Sequence, residues 1–313
     1  MKNKTVKDLI TLDEWTPDFI RSVLDLGVAL KRNPTRWAHA LERKTLCMIF
    51  EKPSLRTRIS FEAGMSQLGG HAIHYDLNGS PLAAGKETIE DTARVLSRFV
   101  DAIMARLFRH DVIEAMAAHA TIPVINGLTD YSHPTQILAD LITVTEKKGD
   151  LRGRTLAFLG DGFNNVTHSL LTGCAKVGMN IRVGCPDAPD TKPDPNALSR
   201  AARFARESGS DILVTEDPVA AVTGADVVYT DSWMSYHIPA DKREERIARF
   251  TPYQVTASLM RNAHPDALFM NCLPAQRGCE QTAEVIDGPQ SVVFDQAENR
   301  LHAHKAILVS LLS

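Results

Sequence analysis

"TLCMIFEKPSLRTRISFEAGMSQLGG", residues 45–70, begins as an apolar run, meets a proline and then turns helical. Pro53 has no amide hydrogen to give a sheet, so the strand "TLCMIF" (45–50) stops before it. Ser54 follows as a helix N-cap, and the helix it opens ends at Gly69 and Gly70. The next apolar run, "HAIHYD" (71–76), predicts a second strand. A strand, a helix and a strand in immediate succession predict parallel pairing.

The alternation continues in both directions. "EWTPDFIRSVLDLGVALKRNP" carries apolar residues at helical spacing, with Thr16 as cap and Pro17 at the first helical position. "DAIMARLF" (101–108) and "IPVING" (122–127) complete a first set of strands. A helix from about Pro134 runs into the polar, glycine-containing "DLRGRT" (149–154), which places the domain boundary. Beyond it come "TLAFLG" (155–160), "GMNIRVGCP" (178–186), "DILVTE" (211–216), "ADVVYTD" (225–231) and "DALFMN" (266–271). The pattern predicts an α/β chain of two doubly wound parallel-sheet domains joined by interdomain helices. Their expected bounds are 1–148 and 149–296. The amphipathic "AENRLHAHKAILVSLLS" (297–313) is expected to pack back on the first domain, and "PDAPDTKPDPN" (186–196) to form a surface loop.

Of the 313 residues, 44% are hydrophobic and 23% charged, and the formal net charge is -3, a balance that excludes a polyanion-binding or membrane-surface protein. The first residues have no apolar core of signal-peptide length, and no stretch approaches a membrane span, so a cytoplasmic location is expected. Cys47, Cys174, Cys185, Cys272 and Cys279 are scattered without CxxC spacing, which predicts neither a disulfide framework nor a zinc cluster.

Open α/β sheets build their sites at the carboxyl ends of strands. After "TLCMIF", the free amides of the helix start, the Ser54 and Thr57 hydroxyls, and Arg56 and Arg58 suit a phosphate or phosphate ester. Capping with surface arginines accounts for the same residues. In "HPTQ", His133 and Gln136 offer neutral donors for a carbonyl oxygen or amide, or else form an ordinary cap; Arg106 ends another strand. "FLGDGFNNVTHSLL" has only half of a dinucleotide fingerprint, since Asn165 stands at the third glycine position and no acidic residue closes the next strand, so no nucleotide cofactor is expected. Asp231, ending "ADVVYTD", suits an ammonium or a helix cap. "FMNCLPAQRG" (269–278) brings Asn271, Cys272 and Pro274 to one more strand end.

Taken together, "SLRTR", Arg106, "HPTQ", "GDGFNN", "DSWMS", "NCLPAQRG" and "AENR", in this order and at these spacings, resemble the ornithine carbamoyltransferase family nearly end to end. The resemblance implies a first domain for carbamoyl phosphate, a second for the amino acid, and assembly as homotrimers. It assigns Ser54, Leu55 through its backbone, Arg56, Thr57 and Arg106 to carbamoyl phosphate, with His133 and Gln136 on the carbamoyl group. Cys272, Leu273 and Arg300 complete that set, while Asn165, Asp231, Ser235 and Tyr236 meet the amino acid. The implied catalytic residues are Arg106, His133 and Cys272, the last acting as a thiolate near the amine. No metal or cofactor, no nucleic acid and no membrane is implied.

Four positions depart from the family's usual motifs. Leu55 replaces a threonine, and Leu82 stands where a glutamine often reaches the phosphate of a neighbouring subunit. Ser235, Tyr236 and His237 replace a small, flexible "SMG", and Asn271 replaces the histidine of "HCLP". Asparagine can hydrogen-bond in a histidine's place but cannot exchange a proton. Ornithine is the expected acceptor; an N-acylated ornithine, a diamine, or a non-catalytic relative that only binds carbamoyl phosphate are the alternatives.

Overall fold

A computed structural model of the chain describes residues 6–234 and 238–313. It forms two compact units, one of residues 1–142 with 298–313 and the other of residues 143–297. Each is built on a wholly parallel sheet, and residues 298–313 of the C-terminal helix group with the first unit, as expected.

In the first unit, strands β1 (Thr45–Phe50), β2 (His71–Asp76), β3 (Ala102–Arg106) and β4 (Val124–Leu128) lie in the order β2-β1-β3-β4. Strands β1, β3 and β4 are almost wholly buried, which is why they read as unbroken apolar runs. Strand β2 is an edge, where His71 and Asp76 are exposed alongside Ile73 and Tyr75. Helix α1 (Pro17–Arg32) begins where Thr16 accepts from the Phe19 amide, and α2 (Leu55–Gln67) where Ser54 accepts from that of Thr57. Helices α3 (Ile89–Phe99), α4 (His110–His119) and α5 (Pro134–Lys148) follow. Leu82 packs with Ile89 and Leu96 against the core of Ile49, Ile103 and Ile113. The apolar side chain at this departing position therefore has a use within its own unit.

In the second unit, β5 (Thr155–Leu159), β6 (Asn180–Gly184), β7 (Ile212–Thr215), β8 (Val227–Thr230) and β9 (Leu268–Met270) lie in the order β7-β6-β5-β8-β9. Helices α6 (Asn165–Val177), α7 (Pro195–Ser208), α8 (Pro218–Val222) and α9 (Arg243–Phe250) lie among these strands in the chain. In both sheets the chain starts near the middle, winds outward and returns to the other side. The order therefore reverses between β1 and β3, and again between β5 and β8. Such reversal points leave a crevice beyond the strand ends, where ligands bind.

The glycines of the half-fingerprint serve the protein's own packing. Gly160 has φ +117°, and a Cβ there would sit 2.8 Å from Trp233 Nε1; one at Gly162 would sit 2.6 Å from the Thr191 carbonyl. The 186–196 segment is thus only partly a surface loop, because Thr191 and Pro193 are buried against this turn. Gly160→Ala is expected to lower the stability of the second unit by about 2 kcal/mol, combining strain at positive φ with displacement of the indole, as read by chemical denaturation.

Candidate active site

In the first unit two strand ends at the reversal point are tied together. The Glu51 amide donates to the Arg106 carbonyl at 3.0 Å, and Glu51 Oε2 accepts from the Phe108 amide at 2.6 Å. Between them, α2 presents the open amides of its first turn, with Thr57 fully buried. Two arginines converge on the Thr57 hydroxyl: Arg300 Nη2 donates at 3.0 Å and Arg106 Nη1 at 3.5 Å. A second nitrogen of Arg300 donates to Gln136 Oε1 at 2.5 Å, and Gln136 Nε2 donates to Asp140 at 2.8 Å. The structure thus draws together Thr57, Arg106, Gln136 and Arg300, four of the residues singled out from the sequence.

His133 sits at the head of α5, its Nδ1 3.4 Å from the Thr135 hydroxyl. The turn leading to it is held by Asn126, which donates to the Ile10 and Ser132 carbonyls, and by a Thr129 amide bond to the Ser132 carbonyl. Burial, reinforced by the charges of Arg300 and Arg106, pushes the His133 imidazole well below its usual pKa. It is therefore a neutral ring near pH 7, able to donate one hydrogen bond without carrying charge. Lys52, the residue that the sequence reading passed over, is 6% exposed and lies 4.5 Å from the centre of the Phe108 ring. Burial first, then the Arg106 charge, lowers its pKa to about 8. Desolvated cations that oppose one another's charge make a site whose natural complement is an anion. A lysine directly after a strand end and before a helix cap was the available signal.

Ser54 and Leu55 stand where the helix starts. Leu55 is 73% exposed at its side chain, so only its backbone faces the turn's chemistry. Arg56 is half-buried. Arg58, expected beside it, instead pairs with Glu62 one turn on, at 2.9 Å on the exposed face. An exposed i,i+4 partner is simply nearer than the buried cluster.

In the second unit the residues gather on Asp231, just past the end of β8. Asn164 caps α6 by accepting from the Val166 amide, and its Nδ2 donates to Asp231 Oδ2 at 3.0 Å. The Cys272 thiol donates to the other oxygen, Oδ1, at 3.1 Å. Asn165 is the first residue of α6 and its carbonyl accepts from Ser169. Beneath the loop, buried Asp161 and Arg246 pair, and Arg246 Nε holds the Trp233 carbonyl at 2.8 Å. Ser235, Tyr236 and His237 lie outside the described residues.

Asn271, fully buried, has an identifiable task. Its Oδ1 accepts from the Leu273 amide at 2.8 Å, and its Nδ2 donates to Gln281 at 3.1 Å. Its own amide donates to Gln296, whose other end reaches the Tyr229 hydroxyl at 3.0 Å. Leu273, at φ +56°, occupies a left-handed conformation that a leucine adopts only under constraint, and it precedes a cis peptide bond to Pro274. Asn271 is thus a clamp on the turn that carries Cys272, a task needing one acceptor and one donor but no proton exchange. Among the described residues no three His, Cys, Asp or Glu side chains come together to hold a metal ion, and no helix is long and apolar enough to cross a membrane.

Asn271→Leu is expected to destabilise the second unit by about 1–3 kcal/mol for each polar group left unsatisfied. Asn271→His, which restores one donor and one acceptor, should lose clearly less in the same urea titration. Equal losses would deny the clamp.

Residues 7–146 match the carbamoyl-P binding domain of the aspartate/ornithine carbamoyltransferases, and residues 152–311 their Asp/Orn binding domain. An ornithine carbamoyltransferase of Anoxybacillus flavithermus is 52% identical over 309 residues, covering 98% of this chain and 96% of that one. The ornithine carbamoyltransferase from Pyrococcus furiosus superposes with a TM-score of 0.93 at 48% identity, over 98% of this chain and 97% of that one. An acetylornithine transcarbamylase complexed with acetylcitrulline is more distant in sequence, at 32% identity and a TM-score of 0.87 over 98% and 100% of the two chains. Two matched domains and relatives at this identity over nearly the whole length place the chain in the aspartate/ornithine carbamoyltransferase family.

Proposed function

We propose that this chain transfers the carbamoyl group of carbamoyl phosphate to the side-chain amine of L-ornithine, giving L-citrulline and phosphate. The observation that carries the reading is the buried convergence of Arg106 and Arg300 on Thr57, with Gln136 and neutral His133 alongside. It joins donors suited to a phosphate with donors suited to a carbonyl oxygen. In this reading Ser54, the Leu55 backbone, Arg56, Thr57 and Arg106 hold the phosphate, and His133, Gln136 and Arg300 the carbamoyl group. Residues 1–148 with 297–313 form the carbamoyl-phosphate domain, and 149–296 the ornithine domain. Asp231 pairs with the ornithine ammonium, Asn165, Ser235 and Tyr236 contact the amino acid, and Cys272 and Leu273 complete the carbamoyl phosphate set, with Cys272 also catalytic. Relatives near half identity that bear the ornithine name support this acceptor over an N-acylated one.

The chemistry is attack of the neutral amine on the carbamoyl carbon, collapse of a tetrahedral intermediate and departure of phosphate. One proton leaves the amine, and the reaction balances without a redox partner. A free amine of pKa about 10.4 is mostly protonated near pH 7, so the acceptor must give up a proton before or during attack. In this reading Arg106 and His133 donate to the oxygen on which charge develops, and fixed donors of this kind lower the barrier because they need no reorganisation. The enzyme is proposed to work as a cytoplasmic homotrimer in arginine biosynthesis.

Turnover measured with carbamoyl phosphate and a panel of ornithine, N-acetylornithine and diamines should favour ornithine. Asp231→Asn should raise the ornithine KM by about tenfold to a hundredfold, the loss of a charge-assisted contact of about 1.5–3 kcal/mol, while the carbamoyl phosphate KM changes little. Preference for another amine would reassign the acceptor.

Lys52 generates a pH dependence. Its charge is present below about 8 and lost above, so the wild-type KM for carbamoyl phosphate should rise as pH climbs through that value. Lys52→Met should raise the KM at pH 7 by about tenfold, for a contact of about 1.5 kcal/mol, and flatten the rise.

A further inference from the structure

His304 lies one helical turn after Arg300, is fully buried, and stacks on Phe61 with ring centres 3.8 Å apart. Its ring nitrogens have different partners. Arg300 Nε, which can only donate, points at His304 Nε2 at 3.4 Å, so Nε2 is the acceptor and Nδ1 carries the hydrogen. Nδ1 lies 2.8 Å from Ser60 Oγ, and the Ser60 hydroxyl in turn donates to the Arg56 carbonyl in the first turn of α2. Burial together with the Arg300 charge keeps the ring neutral, the only form that can accept from Arg300. The result is a directed chain of hydrogen bonds, Arg300 to His304 to Ser60 to the Arg56 carbonyl, inside the first unit. The remaining edge of the same guanidinium is set by Thr57 and Gln136.

We propose that His304 is a positioning residue for carbamoyl phosphate: by accepting from Arg300 Nε and donating to Ser60, it locks the guanidinium plane to the anion-binding turn. It touches no reacting atom. Its effect is to present Arg300 already oriented, so that ligand binding does not have to order a long, mobile side chain. A histidine kept only to fill the space beside Phe61 would have no need of a defined tautomer. The inference rests on the functional reading above, in particular on Arg300 as a carbamoyl phosphate ligand.

Two polar substitutions separate the roles. In His304→Gln the longer amide places an acceptor near the Nε2 position; in His304→Asn the shorter amide reaches Ser60 but not Arg300. Both lose the ring stacked on Phe61. Carbamoyl phosphate binding by calorimetry, steady-state kinetics and melting temperature are measured on the full chain of each. We expect the Gln variant within about threefold of wild type in carbamoyl phosphate affinity, as a retained hydrogen bond implies. The Asn variant should be weakened about tenfold or more, the effect of losing a bond to a charged group. Its carbamoyl phosphate KM should rise while its ornithine KM holds, with both variants melting alike. Equal affinity in the two variants, or equal loss toward both substrates, overturns the proposal while leaving the functional reading intact. A wild-type protein that does not bind carbamoyl phosphate overturns that reading, and this inference with it.

Discussion

Two guanidinium groups share one hydroxyl. Arg106 comes from the end of a central strand and Arg300 from the C-terminal helix, and Thr57 accepts from both. Like charges at such range repel, and burial removes the water that would screen them. Fixed dipoles hold them instead: the Thr57 oxygen, the Gln136 carbonyl and the His304 nitrogen. The association of residues 298–313 with the first unit has a matching rationale, since Arg300, His304 and Lys305 each bond to that unit's helices. An anion placed there would relieve the repulsion, which is the physical support for the proposed phosphate site.

In the second unit the polar side chains gather on one carboxylate. Asp231 accepts at both oxygens, from Asn164 Nδ2 and from the Cys272 thiol. The support beneath is equally specific. Asn164 doubles as the α6 cap, Asn271 clamps the Cys272 turn, and Arg246 ties the Trp233 carbonyl to buried Asp161. Asn271 illustrates how a departure from a family motif loses its force once its partners are known. A donor and an acceptor at the right spacing suffice for the clamp, and asparagine supplies both.

Some of this was open to a reader of the sequence. Strands buried on both faces must be continuously apolar, so "TLCMIF", "TLAFLG" and "ADVVYTD" announced themselves. Caps are equally local: Thr16 and Ser54 bond to amides three residues ahead, so their positions follow from short-range geometry. Strand ends then pointed to Thr57, Arg106 and Asp231, because the connectivity of an open parallel sheet puts its crevice there. The glycines of the half-fingerprint, Gly160 and Gly162, have a packing reason instead. Their missing side chains make room for Trp233 and the Thr191 carbonyl, neither predictable from the spacing.

The sequence by itself therefore determined the alternation of elements, their caps and the strand ends that bear chemistry, all properties of contacts a few residues apart. Only the tertiary structure decided which long polar side chains meet. Arg58 turned outward to Glu62 while Arg300 reached Thr57 across more than two hundred residues of chain, and Lys52 was buried beside Arg106. What each group can do follows from that placement: a neutral His133, a Cys272 held against Asp231, an asparagine acting as a clamp. Desolvation and the charge of neighbours set the first and hydrogen-bond geometry the other two, and all depend on packing between segments that no local pattern encodes.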